Sequence, residues 1–273
     1  MRNSQPILPL LAEPEDLQIL LSSSDLLIID LCSPALYKQA HVPGAIHVKP
    51  GELVSGRPPV PGKLPSIEQL EALFSRIGYR EAKHIVVYDD EGGGWAGRFI
   101  WTLDLIGHKS WSYLNGGMRA WLDEGFPRQS EPVIATPEPV SLTINETPRA
   151  HAEQIIATLD DHNTIIWDAR SAEEYHGQRT FAMRSGHIPG AINFEWTQAM
   201  DPERNFRLRT DLEVVLEQLG IRRDRQIITH CHSHHRSGFT YLVARILGYP
   251  SVKAYDGAWS EWGNRRDTPI ETV

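Results

Sequence analysis

Cysteine is the scarcest chemically reactive residue in this chain: Cys32 and Cys231 are the only two among 273 residues. Two thiols do not make a disulfide framework, and a reducing cytoplasm is the compartment they suit. No Cys-x2-Cys pair exists, which removes the commonest zinc spacing. No apolar run approaches the ~18 residues of a membrane span. The apolar stretch at residues 7–12 is short, interrupted by proline and followed by Glu13, Glu15 and Asp16, so no signal peptide is expected. An excess of positive charge is also missing. The net charge is −8, so the overall field repels nucleic acid and anionic membrane, and an anionic ligand needs a local cationic pocket. What the chain does have is 41% hydrophobic and 23% charged residues. That is the composition of a soluble globular protein with one large or two ordinary domains.

The chain repeats itself. Leu26-Leu27-Ile28-Ile29-Asp30 leads to His41-Val42-Pro43-Gly44-Ala45-Ile46, and Thr164-Ile165-Ile166-Trp167-Asp168 leads to His187-Ile188-Pro189-Gly190-Ala191-Ile192. Each copy reads as a buried strand ending in Asp, a short helix carrying Tyr37 or Tyr175, and a His-x-Pro-Gly-Ala turn into a further strand. The second copy holds eight more residues before its turn, in a basic stretch containing Arg179 and Arg184. Helix starts follow at Ser66-Ile67-Glu68-Gln69 and Thr210-Asp211-Leu212-Glu213, both of capping-box form. Next come short apolar strands (Ile85–Tyr88 and Gln226–Thr229), a loop, and an apolar helix ending at Gly107 or Gly248. Aligning those two glycines without gaps pairs Gly97 with Gly238 and Asp90 with Cys231. Strands alternating with helices predict an α/β fold of two tandem domains, each a central, mainly parallel sheet flanked by helices. The expected division is residues 1–128, a proline-rich semi-stiff linker at 129–147, and residues 148–273.

Cys231 heads the segment Cys231-His232-Ser233-His234-His235-Arg236-Ser237, between an apolar strand and a helix. Only a thiolate attacks, and a free thiol titrates near ~8.5. A helix N-terminus, surrounding N–H groups and the Arg236 guanidinium all favour the anion. Cys231 is therefore read as a nucleophile for an anionic substrate, whereas Cys32 has no such loop and is read as structural. His232, His234 and His235 lack a nearby carboxylate or second cysteine, so no metal is expected. His41, His187, Asp30 and Asp168 are read as braces at strand ends, and Trp95, Trp101, Trp111 and Trp121 as core or domain-interface residues. The run Asp89-Asp90-Glu91-Gly92-Gly93-Gly94 lacks the Lys-Ser/Thr ending of a phosphate loop. Cys-x5-Arg loops cradle phosphate, which keeps a cysteine-dependent phosphatase as an alternative. The four intervening residues here make a smaller ring of N–H groups that suits sulfur better.

The repeated Asp…His-x-Pro-Gly-Ala framework and the Cys-x4-Arg loop resemble the two-domain rhodanese family over essentially the whole chain. The loop is most similar to the bacterial thiosulfate sulfurtransferase form Cys-Gln-Thr-His-His-Arg-Ser-Gly, differing at His232 and Ser233. The resemblance implies a non-catalytic N-terminal domain with Asp in place of the nucleophile, and a catalytic C-terminal domain. Cys231 would take the outer sulfur of thiosulfate, release sulfite and pass the persulfide sulfur to a thiophile such as cyanide, or to a protein acceptor. The N–H groups from His232 to Ser237 would hold the sulfur anion, reinforced by Arg236, with Arg179 and Arg184 as candidates for substrate attraction. No cofactor is implied, and two domains enclosing one site suit a monomer. A 3-mercaptopyruvate sulfurtransferase is the alternative within the family. Those enzymes resemble one another in an Arg before the aromatic residue matching Tyr175, where this chain has Glu174, a poor neighbour for a keto-acid carboxylate.

Overall fold

The computed structural model describes residues 7–272; the first six residues of the N-terminus read above for a signal peptide lie outside the described residues. The first half runs β1 (Leu11–Ala12), α1 (Pro14–Gln18), β2 (Leu26–Asp30), α2 (Pro34–Gln39), β3 (Ile46–His47), α3 (Ile67–Arg76), β4 (His84–Tyr88), α4 (Gly94–Leu105), β5 (Trp111–Leu114) and α5 (Gly117–Asp123). The second runs β6 (Arg149–Ala150), α6 (Ala152–Ala157), β7 (Thr164–Asp168), α7 (Ala172–Tyr175), β8 (Ile192–Asn193), β9 (Met200–Asp201), β10 (Arg207–Leu208), α8 (Leu212–Gln218), β11 (Gln226–His230), α9 (Arg236–Ile246), β12 (Val252–Tyr255) and α10 (Ala258–Trp262). Each half closes a five-stranded parallel sheet, ordered β1-β5-β4-β2-β3 and β6-β12-β11-β7-β8. The expected duplicated α/β architecture is therefore present. The central strand β4 is buried at every position, as a parallel strand covered on both faces must be. No helix among the described residues is long and apolar enough to cross a membrane.

The repeated turns do the same mechanical work in both halves. The His41 and His187 rings donate from Nδ1 to the carbonyls of Tyr37 (2.6 Å) and Tyr175 (2.9 Å). Each stacks on that tyrosine, at 4.0 and 3.7 Å, and the tyrosine hydroxyls donate to the carbonyls of Ala45 and Ala191. The two capping boxes fare differently. Ser66 and Gln69 exchange their hydrogen bonds at the start of α3. At α8 the N-cap is Asp211, and its carboxylate is taken by Arg209 instead of the helix N–H groups. An arginine two residues away offers two charge-assisted bonds, which outcompete one neutral N–H.

No strand or helix lies between Asp123 and Arg149. This proline-rich stretch adheres to the first half: Gln129 bridges His41, the Glu138 N–H donates to Ser75, and the Asn145 N–H donates to Leu105. The halves then meet helix to helix, α4 against α9. A Cβ on Gly97 would stand 2.2 Å from the Gly238 carbonyl oxygen, and one on Gly238 would stand 2.7 Å from the Arg98 nitrogen. Only hydrogen fits on either side of that contact. Asp104 of α4 is buried across the same seam, accepting from the Tyr241 hydroxyl (2.7 Å), the Trp111 indole (3.2 Å) and Arg245. One hydrophobic core runs through both halves, from Leu27 and Phe99 to Phe239 and Ala254.

A β9–β10 hairpin from the second half also grips the first. Asn205 and Phe206 turn it through left-handed backbone (φ 56° and 60°). Arg207 then donates to Glu13 and Glu124, and the Leu208 N–H donates to Asn115.

Gly238→Val should lower stability by about 1–3 kcal/mol through overpacking of the α4–α9 seam, read as a lower urea midpoint. Gly51→Ala, at a position with open space around it, should stay within about 0.5 kcal/mol of the parent.

Candidate active site

Strand β11 delivers Cys231 to the carboxyl end of the second sheet, the end at which crevices form in parallel sheets. Its neighbour in register is β7, which sets Asp168 beside His230. Asp168 is fully buried and braced by Arg170, whose Nε donates to it at 2.9 Å. The Arg170 guanidinium lies 4.3 Å over the Trp259 ring and donates on to the Gly186 carbonyl. Asp168 is thus held by a neighbouring arginine. Asp30 has no arginine, and takes the Tyr88 hydroxyl and the Cys32 N–H instead.

The loop from Cys231 to His235 curls because its carbonyls are held outward. The Trp259 and Ser260 N–H groups at the start of α10 donate to the carbonyls of Cys231 and His232, both at 2.9 Å. The Ser233 carbonyl packs on Gly62 of the first half, so closely that a Cβ there would come within 2.2 Å. His234 turns the chain with φ +57°. The inward face is left to donors. Cys231 is buried, and burial alone pushes its thiol up. Against that stand the Arg236 charge, the Ser237 hydroxyl at 3.4 Å, and the N–H groups of Ser237 and Ser233, and together they hold the thiol below its ordinary value. Each of these influences favours the anion, the reactive form of a thiol. Cys32 is the opposite case. Burial, with Asp30, Asp90 and Asp89 nearby, pushes its thiol well up, and it is inert packing.

Arg236, the first residue of α9, makes a two-pronged ion pair with Glu174 of α7, at 2.5 and 3.0 Å. Burial disfavours its charge, but Glu174 and Cys231 more than offset it, so Arg236 titrates above an ordinary arginine. Glu174 in turn is held below an ordinary carboxylate by Arg236 despite its burial. His235 sits between the two halves, 4.5 Å from Trp95 and 5.5 Å from Trp196, with Nε2 2.9 Å from the Glu91 carboxylate. The Trp95 ring is thus a domain-interface residue. His232 lies edge-on to Phe181 at 5.7 Å.

The structure does not bring Arg184 to the sulfur. Its guanidinium is spent on the carbonyls of Thr268 and Trp262, both at 2.9 Å, where it braces the inserted stretch. Arg179 lies 4.8 Å over the Phe181 ring on the same stretch. A chain segment with eight extra residues needs an internal anchor, and Arg184 supplies one.

The counterpart of Cys231 in the first half also needs correcting. The ungapped alignment pairs it with Asp90. Strand register pairs Asp30 with Tyr88 and Asp168 with His230, which makes the next residue, Asp89, the equivalent. Carbonyl bonding agrees: Met118 N–H donates to Asp89 just as Trp259 N–H donates to Cys231. The first copy has one residue more between strand and helix glycine, which hid the match. Asp89 fills its own cradle, its carboxylate accepting from the N–H groups of Glu91, Gly92, Gly93 and Ala96. Asp90 instead accepts from the Ser33 N–H.

Sequence reasoning passed over Gly62, Arg98 and Glu91, the first-half residues that touch or support the Cys231 loop. Arg98 was signalled only by being the one cation in an apolar helix. It is fully buried, donating to the carbonyls of Gly62 and Leu53 at 2.8 Å each.

The rhodanese-like domain model matches residues 13–124 and 151–265. This chain belongs to the rhodanese family. It is 53% identical over 264 residues to the thiosulfate sulfurtransferase of Azotobacter vinelandii, and 52% identical over 264 residues to that of Pseudomonas aeruginosa, with 97% of each chain covered in both cases. Among solved structures, wild-type EanB superimposes with a TM-score of 0.86 at 21% identity, covering 96% of this chain and 69% of that one. That likeness concerns the rhodanese fold alone.

Arg236→Ala should raise the Cys231 thiol pKa by about one unit or more, since it removes the largest influence favouring the anion. The pH dependence of iodoacetamide labelling at Cys231, read by peptide mass, measures this. An unchanged profile would remove Arg236 from the account.

Proposed function

We infer that this rhodanese is an enzyme, a thiosulfate sulfurtransferase that moves sulfane sulfur to a thiophilic acceptor such as cyanide through a Cys231 persulfide. The observation that carries this reading is a buried thiol, lowered by Arg236 and by inward N–H groups, at the head of a short closed loop. It is supported by near full-length similarity to enzymes that carry that name. In the first half-reaction the Cys231 thiolate attacks the outer sulfur of thiosulfate. The new S–S bond takes the place of the old one, and sulfite leaves with the electron pair. In the second, the acceptor attacks the outer sulfur and the Cys231 thiolate leaves. Both half-reactions develop or consume negative charge at sulfur inside one cradle, so the N–H groups from His232 to Ser237 serve both.

Glu174 bears on the alternatives. Its carboxylate engages both terminal nitrogens of Arg236, which leaves that guanidinium without the free fork that a phosphate needs. That favours sulfur over phosphate. Glu174 also stands where 3-mercaptopyruvate enzymes resemble one another in an Arg, so this position offers no cation to a keto-acid carboxylate. We assign catalysis to the C-terminal domain from residue 148, and a supporting role to the first domain, to residue 128. Arg179 is retained as a cation at the rim, available to attract a donor. One chain closes the whole site, which suits a monomer, and two free cysteines suit the cytoplasm.

Incubation with thiosulfate should add one sulfur atom to the intact mass, and Cys231→Ser should add none. Loading by mercaptopyruvate but not by thiosulfate would overturn the donor, and aryl phosphate hydrolysis without loading would overturn the class.

A further inference from the structure

Ser237 has one hydroxyl proton and two claimants for it. Its Oγ stands 3.4 Å from the Cys231 sulfur and 2.8 Å from Nδ1 of His234. The direction of that proton depends on the His234 tautomer. If Nδ1 carries the lone pair, it draws the hydroxyl proton away, and the thiolate faces an oxygen lone pair. If Nδ1 carries hydrogen, it donates to Oγ, and the hydroxyl proton is free to point at sulfur.

The far side of the imidazole decides between the two. His234 is buried on all sides, and its Nε2 has no hydrogen-bond partner among the described residues. The same is true of Nε of Arg98, the buried arginine of α4. Both groups pack on one indole: Arg98 lies 4.7 Å over Trp101, and His234 meets that ring edge-on at 4.6 Å. The guanidinium is fixed in place by its bonds to Gly62 and Leu53. A fixed cation beside a neutral imidazole attracts a lone pair and repels an N–H. Burial, reinforced by Arg98, keeps His234 neutral well below the ordinary histidine range. The ring thus has one proton to place. On Nε2 it would be a buried N–H with no acceptor, whereas on Nδ1 it finds the Ser237 Oγ. The repulsion of the nearby cation adds to the cost of an orphan N–H.

We propose that His234 is a positioning residue, locked by Arg98 as the Nδ1–H tautomer so that Ser237 directs its hydroxyl proton onto the Cys231 sulfur. The line runs from the first domain, through α4 and the catalytic loop, to the nucleophile. It favours the thiolate both when it attacks the donor and when it leaves at the acceptor step. The inference rests on Cys231 being the nucleophile, but not on which donor loads it.

The test therefore reads the thiol without sulfur transfer. In the full-length protein, nitrogen-15 spectra of the histidines should show His234 protonated at Nδ1 and bare at Nε2. Labelling of Cys231 by iodoacetamide against pH should shift upward by about half to one unit in Ser237→Ala and in His234→Ala. The double variant should shift no further than either single one, because the two act in series. His234→Asn places an amide N–H near the Nδ1 position and tolerates left-handed backbone, so it should restore the parent profile. A proton found on Nε2 overturns the proposal. So do additive shifts in the double variant, or an Asn variant no better than Ala. Failure of thiosulfate to load a protein that passes these tests would instead count against the donor assignment.

Discussion

Everything around Cys231 depends on two helices approaching until their backbones touch. At Gly97 and Gly238 there is no room for a side chain on either helix. A methyl group on one of them would push α4 from α9. That displacement would carry away every first-domain group that bears on the catalytic loop, because they all hang from α4 or the segment leading into it. Gly62, held by Arg98, supports the Ser233 carbonyl, while Trp95 and Glu91 flank His235. The first half thus forms one wall of the Cys231 loop.

Burying a sulfur anion is costly, and the loop shows how that cost is met. Transfer of an ion into a protein interior costs several kcal/mol even after relaxation. A hydrogen bond to a charged group returns about 1.5–3 kcal/mol, and a helix N-terminus up to ~2 kcal/mol. One cation cannot cover the cost when it is shared, and Arg236 is shared with Glu174. The N–H groups of Ser233 and Ser237 and the Ser237 hydroxyl therefore add to what the arginine supplies. They are available only because the outward carbonyls are already satisfied by α10. Glu174 adds a second effect. It fixes the guanidinium in one position through two hydrogen bonds.

Much of this was legible in the sequence. The duplicated strand, turn and helix pattern predicted both sheets, because apolar runs broken by Pro-Gly turns have few other ways to bury themselves. Cys231 was legible because a cysteine between a buried strand and a helix start has a distinctive physical setting. Side-chain partners were less so. Thr210-Asp211-Leu212-Glu213 has the form of a capping box, but Arg209 takes the Asp211 carboxylate. Arg184 reads as a cation for substrate, but it braces three residues of backbone near the C-terminus. Such choices depend on which groups meet in space. A one-residue difference between strand and helix was enough to move the counterpart of Cys231 from Asp90 to Asp89.

That shift changes what the duplication means. Asp89 and Cys231 stand at the same place on the same kind of loop, and each is an acid surrounded by converging N–H groups. Four N–H bonds from its own loop fall on the Asp89 carboxylate. The carboxylate oxygens therefore take up donors of the loop that corresponds to the one headed by Cys231. Burial lifts the Asp89 carboxyl even so, as expected for a group sealed from water with no cation in contact. The first cradle is thus closed by a permanent occupant, and its loop becomes a rigid shelf against which His235 and α9 pack. The second has the Cys231 sulfur at its base, with the N–H groups of Ser233 and Ser237 turned toward it. The two halves share a loop of converging N–H groups, and what separates them is the acid at its centre, a carboxylate that accepts four N–H bonds in one and a lowered thiol in the other.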